Sequence, residues 1–486
     1  MKVFNTLSGQ KEEFLPQSDT VTMYVCGVTV YDDCHIGHVM SYIVFDSIRR
    51  YLEFRGYKVK YVQNFTDIDD KIINKAQQLN IPANELAEKY ISEYFRDMDA
   101  LNIKRADIYP KATEEIPKII EVIQRLIEKD FAYESQGSVY FQVDRFPNYG
   151  KLSHQNMEEM VSKASLNAEN KNSPLDFALW KAAKPGEPSW VSPWGNGRPG
   201  WHIECSAMAL KYLGESIDIH GGGQDLIFPH HENEITQSES FTGKDPFVKY
   251  WLHNGLLQLS GDKMSKSIGN LVTVKECLKH FSPDAIRLFI LGSHYRSPLS
   301  YNENNIEASE IGMQRLRQAA TRDGIESLAK MKLDSEPFKK KFIDSMDDDF
   351  NTAQAIAVIF DLAREINRGL EEKLDVSRAR QTLIELAKIL GFTLEEPARL
   401  PLEFGPLAEL AKHWQSELAN RLGQTIEKPA TSPLDAAASV EMLISMRNEL
   451  RRAKQWQMAD KIRNDLIELG ITLEDTPKGT MWKRTR

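Results

Sequence analysis

Cysteine is scarce: the 486 residues hold four, Cys26, Cys34, Cys205 and Cys277. So few, so widely spaced, exclude a disulfide-stapled scaffold and leave thiols or metal ligands in a reducing compartment. Long apolar runs are missing as well. The opening Met1-Lys2-Val3-Phe4-Asn5 has no apolar signal region, and no stretch is long enough to cross a bilayer. No membrane partner and a cytoplasmic location are therefore expected. No internal repeat is evident, which argues against a solenoid. An excess of positive charge is lacking too, because the formal net charge is −9. The molecule as a whole is not a basic nucleic-acid binder, so any RNA must meet local patches. What is present is 41% hydrophobic residues, enough for several cores. The length suggests about three domains.

The apolar run Val21-Thr22-Met23-Tyr24-Val25 reads as a buried strand. After it comes His35-Ile36-Gly37-His38, then a helix to about residue 55 with Val39, Ile43, Ile48 and Leu52 near helical spacing and Gly56 as its C-terminal cap. Such a strand-to-helix junction offers free N–H groups and a helix dipole to phosphate. Gly37 lets a nucleotide approach the backbone, and His35 and His38 can donate to phosphate oxygens. The histidine pair alone reads equally as a metal or core pair. Tyr57 to Val62 reads as the next strand, and Asn64-Phe65-Thr66-Asp67-Ile68-Asp69-Asp70-Lys71 leads into a helix that Thr66-Asp67 can cap. Strand, helix, strand, helix implies a parallel sheet with ligands at the carboxyl ends of its strands. That brings Cys26, His35, His38 and Thr66 to one crevice.

Residues 1–110 thus form the first half of a Rossmann-like α/β catalytic domain. Residues 111–199, with short strands such as Ser138 to Val143 and a polar stretch from Ser162 to Ser173, read as a connective insertion. Residues 200–304 form the second half. Gly200 to Met208 starts a helix, and Ser216 to His220 is a strand that Gly221-Gly222-Gly223 follows as a close-approach turn for a nucleotide. Pro229 suits a first helical turn, which places His230 and Glu234 on one face. Lys263-Met264-Ser265-Lys266-Ser267, between Gly261 and Gly269, suits a loop whose lysines neutralise a triphosphate. Residues 305–400 read as an α-helical bundle. Residues 401–486 read as a linker, from Lys428 to Ser439, and a small C-terminal domain. From Arg447 to Arg486 there are ten Lys and Arg against six Asp and Glu, a local charge of +4. That is opposite in sign to the whole chain, although a solvated helix face explains most such runs.

The two signature stretches, His35-Ile36-Gly37-His38 and Lys263 to Ser267, together resemble the HIGH and KMSKS motifs of class I aminoacyl-tRNA synthetases, without a substitution. Cys26, Cys205, His230 and Glu234 offer thiolate, imidazole and carboxylate, all usual zinc ligands. Their spacing is too wide to be a signature, and two buried thiols with polar neighbours are an equal reading. The chain further resembles the cysteinyl-tRNA synthetase family. The matching stretches are Tyr24 to Asp32, Thr66 to Lys71, Gly200 to Cys205, His220 through Glu234, the second signature, and Leu473 to Thr480. Phe65 departs from that family's smaller aliphatic residue, and the segment near 402–435 has no account.

The resemblance implies one Zn2+ per chain on Cys26, Cys205, His230 and Glu234, bound directly by the substrate thiolate. It implies Mg2+ with ATP, and L-cysteine and tRNA(Cys) as the other substrates of a cysteine–tRNA ligase, expected as a monomer. His35, His38, Lys263 and Lys266 would carry catalysis. Gly37 and Gly221 to Gly223 would hold ATP together with His35, His38 and Lys266. Cys26, Gly27, Thr66 and Trp201 would line the amino-acid pocket. In the C-terminal domain Arg451, Trp456, Asp460, Arg463 and Asp475 would meet the anticodon, read through stacking and base-edge hydrogen bonds. Two alternatives stand beside this. One is the related cysteine–amino-sugar ligase of mycothiol synthesis, which lacks the anticodon-binding end. The other is a non-catalytic tRNA-binding relative, against which the intact signatures argue.

Overall fold

The computed structural model describes residues 1–156, 170–259, 262–263, 272–321, 331–396, 404–422, 435–476 and 479–484. They form two compact units, Met1–Glu395 and Glu396–Arg486. The first is built on four parallel strands in the spatial order Val248–Asn254, Ile217–Gly223, Thr20–Val25, Lys58–Gln63. All seven residues of Ile217–Gly223 are buried, as befits a strand covered on both faces. The two inner strands come from opposite sides of the insertion, and each side adds its second strand on the outer side. A crevice opens where such a sheet reverses direction, at the carboxyl ends of the inner strands.

The helix expected after the first strand runs Ile36–Phe54 and buries Val39, Ile43, Ile48 and Leu52. Each such side chain contributes about 1.5–3 kcal/mol of burial, so this helix is fastened along its length to the sheet. His35 caps it, the ring accepting from the His38 N–H at 3.3 Å, and Gly56 ends it at φ +92. Two local expectations give way. Thr66 and Asp67 do not cap the following helix, Asp70–Leu79; Asp69 does, accepting from the Lys71 N–H at 2.9 Å. Asp67 instead accepts from the Thr113 N–H at 3.0 Å. Nor is Gly221-Gly222-Gly223 a turn: the three glycines finish the strand, paired with Leu252, His253 and Asn254. A Cβ on Gly221 would lie 2.2 Å from the Phe45 ring, and one on Gly222 2.9 Å from His231, so packing demands these glycines.

The insertion between the halves is the helix Ile116–Glu128 and a five-stranded antiparallel sheet, in the order Ala132–Ser135, Ser138–Phe141, Phe177–Ala182, Gly195–Pro199, Trp190–Ser192. It shares its core with the helix Trp201–Leu213 of the second half. Phe65, the family departure, is buried in an aromatic group and stacks on Tyr109 at 5.4 Å. The helices Glu303–Thr321, Glu336–Asp347, Thr352–Glu371 and Ser377–Ile389 follow as a bundle.

In the second unit the segment without a sequence account supplies a helix, Phe404–Leu422. Leu407, Ala411, Trp414 and Leu418 bury one stripe of it against Val440, Leu443 and Ile462. The expected linker ends sooner than Ser439. Asp435 caps a helix that begins at Ala436, its carboxylate accepting from the Ala438 N–H at 2.7 Å. The helix Trp456–Glu468 and the hairpin Ile471–Thr476 with Gly479–Arg484 complete the unit.

Candidate active site

The carboxyl end of Thr20–Val25 delivers Cys26 to the crevice, and the chain then passes through a loop to the histidine helix. The His35 and His38 rings stack at 3.6 Å between centroids. A Cβ on Gly37 would come within 2.9 Å of the His35 ring, so this glycine makes room for the histidine pair. The chain after the second signature lies against the first: Ile36 N–H donates to Val272 O at 3.0 Å, and Val274 N–H to Cys34 O at 2.9 Å. Lys263 falls in a short strand, Asp262–Lys263, paired with Leu257–Leu259. Lys266 lies outside the described residues, as do Met264, Ser265 and Ser267.

Beside the inner strands, Cys26, His230, His231 and Glu234 are buried, with donor atoms within 4.8 Å of one another. Cys26 Sγ lies 3.5 Å from His230 Nε2, 3.3 Å from His231 Nε2 and 3.4 Å from Glu234 Oε1. His230 Nε2 is 2.9 Å from Glu234 Oε1. Cys205, from the helix Trp201–Leu213, is buried with its Sγ 3.8 Å from that of Cys26. The four residues expected from the sequence are thus together, and His231 joins them. The adjacent His230-His231 pair was the signal for it, since either imidazole can serve as a ligand. A turn with Phe228 in extended conformation precedes the helix Glu232–Thr242, which aims both histidines inward.

A shell of imidazoles orients this cluster. His220 Nε2 is 2.9 Å from Glu234 Oε2, His202 Nδ1 is 2.9 Å from His230 Nδ1, and His231 Nδ1 is 2.8 Å from His253 Nε2. Burial drives His202 and His231 well below the ordinary histidine range, and His253 to about 3. Burial alone would raise Glu234, but His220 and His230 outweigh it and hold the carboxylate well below its usual range. Against its own burial, His230 is lifted to about 10 by Glu234. Of the two thiols, burial and then Cys205 push Cys26 up, whereas hydrogen bonds from Cys26 and His230 overcome burial and bring Cys205 to about 6. Soft sulfur, imidazole and carboxylate donors about one tetrahedral edge apart suit a zinc ion, whose bonds are about 2.0–2.3 Å long.

The remaining pocket candidates surround the cluster. The Trp201 ring lies over His230 at 4.2 Å and keeps 38% of its surface exposed. Gly27 N–H donates to Asn64 Oδ1 at 2.9 Å, and a Cβ there would collide with the Asn64 carbonyl at 1.6 Å. Thr66 Oγ1 donates to Glu204 Oε2 at 3.0 Å, the buried carboxyl of Glu204 being pushed well above the ordinary range by burial and by Cys205. In the second unit Trp456, Asp460 and Arg463 are exposed at helical spacing on one face. Trp456 is 56% exposed, so packing between helices is not its role. Asp475 accepts from Arg447 at 3.0 and 2.9 Å, from Arg451 at 2.5 Å and from Thr480 at 2.8 Å. Its carboxylate is therefore already committed to holding two arginines.

The family description "tRNA synthetases class I (C) catalytic domain" matches residues 14–311. A DALR domain matches 341–395, and a cysteinyl-tRNA ligase anticodon binding domain matches 435–482. A cysteine–tRNA ligase of Dehalococcoides mccartyi is 55% identical over 485 residues, covering 99% of each chain. One from Thermococcus onnurineus is 49% identical, covering all of this chain and 99% of its own. One from Thermodesulfovibrio yellowstonii is 48% identical, covering 99% of each. The fold resembles Mycobacterium tuberculosis methionyl-tRNA synthetase in complex with methionyl-adenylate, with a TM-score of 0.56 at 16% identity over 76% of this chain and 89% of that one. Among the described residues no helix is long and apolar enough to cross a membrane. With a catalytic-domain match over most of its length and relatives near half identity from end to end, the chain belongs to the cysteine–tRNA ligase family of class I aminoacyl-tRNA synthetases.

Proposed function

We propose that the chain activates L-cysteine with ATP and transfers it to tRNA(Cys), selecting cysteine through a zinc ion held by Cys26, Cys205, His230 and Glu234, with His231 beside them. The observation that carries this is the buried convergence of sulfur, imidazole and carboxylate at the carboxyl end of the strand from which the chain passes to the stacked His35 and His38. A shaped pocket separates cysteine from serine by only about 1–3 kcal/mol, whereas zinc supplies a soft Lewis acid that favours a thiolate over a hydroxyl. Trp201, Gly27 and Thr66 line the space in which the amino acid lies.

In the first step the cysteine carboxylate attacks the α-phosphorus of ATP. The bond to the bridging oxygen breaks, giving cysteinyl-adenylate and pyrophosphate. His35 and His38 donate hydrogen bonds to phosphate oxygens as charge builds, and Lys263 and Lys266 neutralise the departing pyrophosphate, whose charge Mg2+ bound with ATP would share. Gly37 and Gly221 to Gly223 leave the backbone open to the nucleotide. In the second step the terminal ribose 2′-hydroxyl attacks the carbonyl carbon and AMP leaves. Positioning and charge stabilisation suffice, and no protein nucleophile is used. Trp456 stacks on an anticodon base, Asp460 accepts from a base edge, and Arg451 and Arg463 hold phosphate or base, Arg451 being set by Asp475.

The amino-sugar ligase reading loses its ground with the anticodon-domain match over 435–482. Metal analysis combined with Cys205→Ser tests the zinc reading. One zinc per chain, with cysteine-dependent pyrophosphate exchange sharply weakened in the variant and ATP binding retained, is expected. Unchanged cysteine affinity in Cys205→Ser would sink it.

A further inference from the structure

Tyr24 lies on the strand Thr20–Val25, two residues before Cys26, whose N–H still donates to the Gly221 carbonyl at 3.2 Å, so strand alternation turns both side chains to one face. Its register partner is His220, whose ring lies 5.0 Å away and whose Nε2 meets Glu234. The Tyr24 side chain is fully buried, and its hydroxyl has no hydrogen-bond partner among the described residues. A buried O–H of this kind costs about 1–3 kcal/mol unless something satisfies it. A phenol O–H is a donor, and the neighbours of this one include Cys26, two residues on, and His220, which holds Glu234.

Charge makes the need for such a donor concrete. Two thiolates and a carboxylate outweigh a divalent ion, and a substrate thiolate adds a further negative charge in a site without lysine or arginine among its described contacts. Buried charge of that sign requires hydrogen-bond donors at the ligand atoms. We propose that Tyr24 is a positioning residue that donates its O–H to a sulfur of the Cys26 and Cys205 pair, 3.8 Å apart, in the metal-loaded protein, restraining that sulfur's donation so that the site accepts a further thiolate, the substrate's. The inference rests on the metal reading of the same cluster.

The test is Tyr24→Phe in the full chain loaded with Co2+. The change removes one hydroxyl that has no hydrogen-bond partner among the described residues. A hydrogen bond lowers the energy of the sulfur lone pair, so its loss moves the sulfur-to-cobalt charge-transfer band to longer wavelength. The expected result is that red shift, together with a KM for cysteine raised roughly two- to tenfold and a KM for ATP unchanged. A charge-transfer band at the same wavelength in the variant and the unsubstituted chain overturns the hydrogen bond while leaving the metal site standing. A chain that shows no thiolate-to-cobalt band before any substitution overturns the metal reading, and the Tyr24 role with it.

Discussion

The Trp201 indole stacks on the His230 imidazole, with centroids 4.2 Å and planes 23° apart. One face of the indole thus braces a metal-cluster residue while more than a third of the side chain stays open to the crevice. Trp201→Ala should raise the KM for cysteine about tenfold, the loss of an aromatic contact of roughly 1.4 kcal/mol. Zinc content and the KM for ATP should not change. Pyrophosphate exchange at varied cysteine, with metal analysis, checks this, and an unchanged KM for cysteine would remove Trp201 from the pocket.

His35 has two duties that substitution can separate. Its ring caps the helix Ile36–Phe54 through the His38 N–H, and the same imidazole is proposed to meet phosphate. Asparagine preserves a capping acceptor and alanine does not. Both His35→Asn and His35→Ala should slow pyrophosphate exchange roughly a hundredfold to a thousandfold. Only the alanine variant should also lose about 1 kcal/mol of stability. Exchange rates beside thermal melts decide it, and full activity in His35→Asn would reduce the residue to a cap.

Asp97 gives the first unit a pH dependence of its own. It is buried near the C-terminal end of the helix Ala83–Ala100, where the helix dipole disfavours an anion, and its Oδ2 has no hydrogen-bond partner among the described residues. Burial lifts the carboxyl to about 6; Lys275 and Arg96 oppose the rise, while Asp33 and Glu93 add to it. The folded value lies above the unfolded one of about 3.9, so between about pH 4 and pH 6 the folded chain binds the proton more tightly. Stability therefore falls as pH rises through that window and stays lower above it. Asp97→Asn should gain roughly 1–2 kcal/mol at pH 7.5 and almost nothing at pH 3.5. Thermal melts of both chains at the two pH values measure the difference, and an equal effect at both would contradict the assignment.

Much of the site was legible because its residues are chemically distinctive. His35 and His38 could be named from residue type and order, Cys26, Cys205, His230 and Glu234 only once the family resemblance singled them out among usual metal-ligand types, and the sheet that gathers them from alternating strand and helix. A helix starting at Pro229 puts only His230 and Glu234 on one face, whereas the turn before Glu232 aims two adjacent imidazoles, His230 and His231, inward. The three glycines after His220 were read as a turn because glycine marks turns so often. Here Phe45 and His231 occupy the space a side chain would need, a long-range fact invisible in local sequence. The helix Phe404–Leu422 hid among prolines, although Leu407, Ala411, Trp414 and Leu418 keep the spacing of a buried stripe. Tyr24 read as one more apolar strand residue, since only the fold sets its ring beside His220 and leaves its hydroxyl buried.

The central claim is tested most directly by charging unfractionated tRNA with labelled cysteine, ATP and Mg2+, with labelled serine as the control. The account predicts label from cysteine alone, on a single tRNA whose acceptance is lost when its anticodon is changed. Cysteine-dependent pyrophosphate exchange with no label on any tRNA would contradict it.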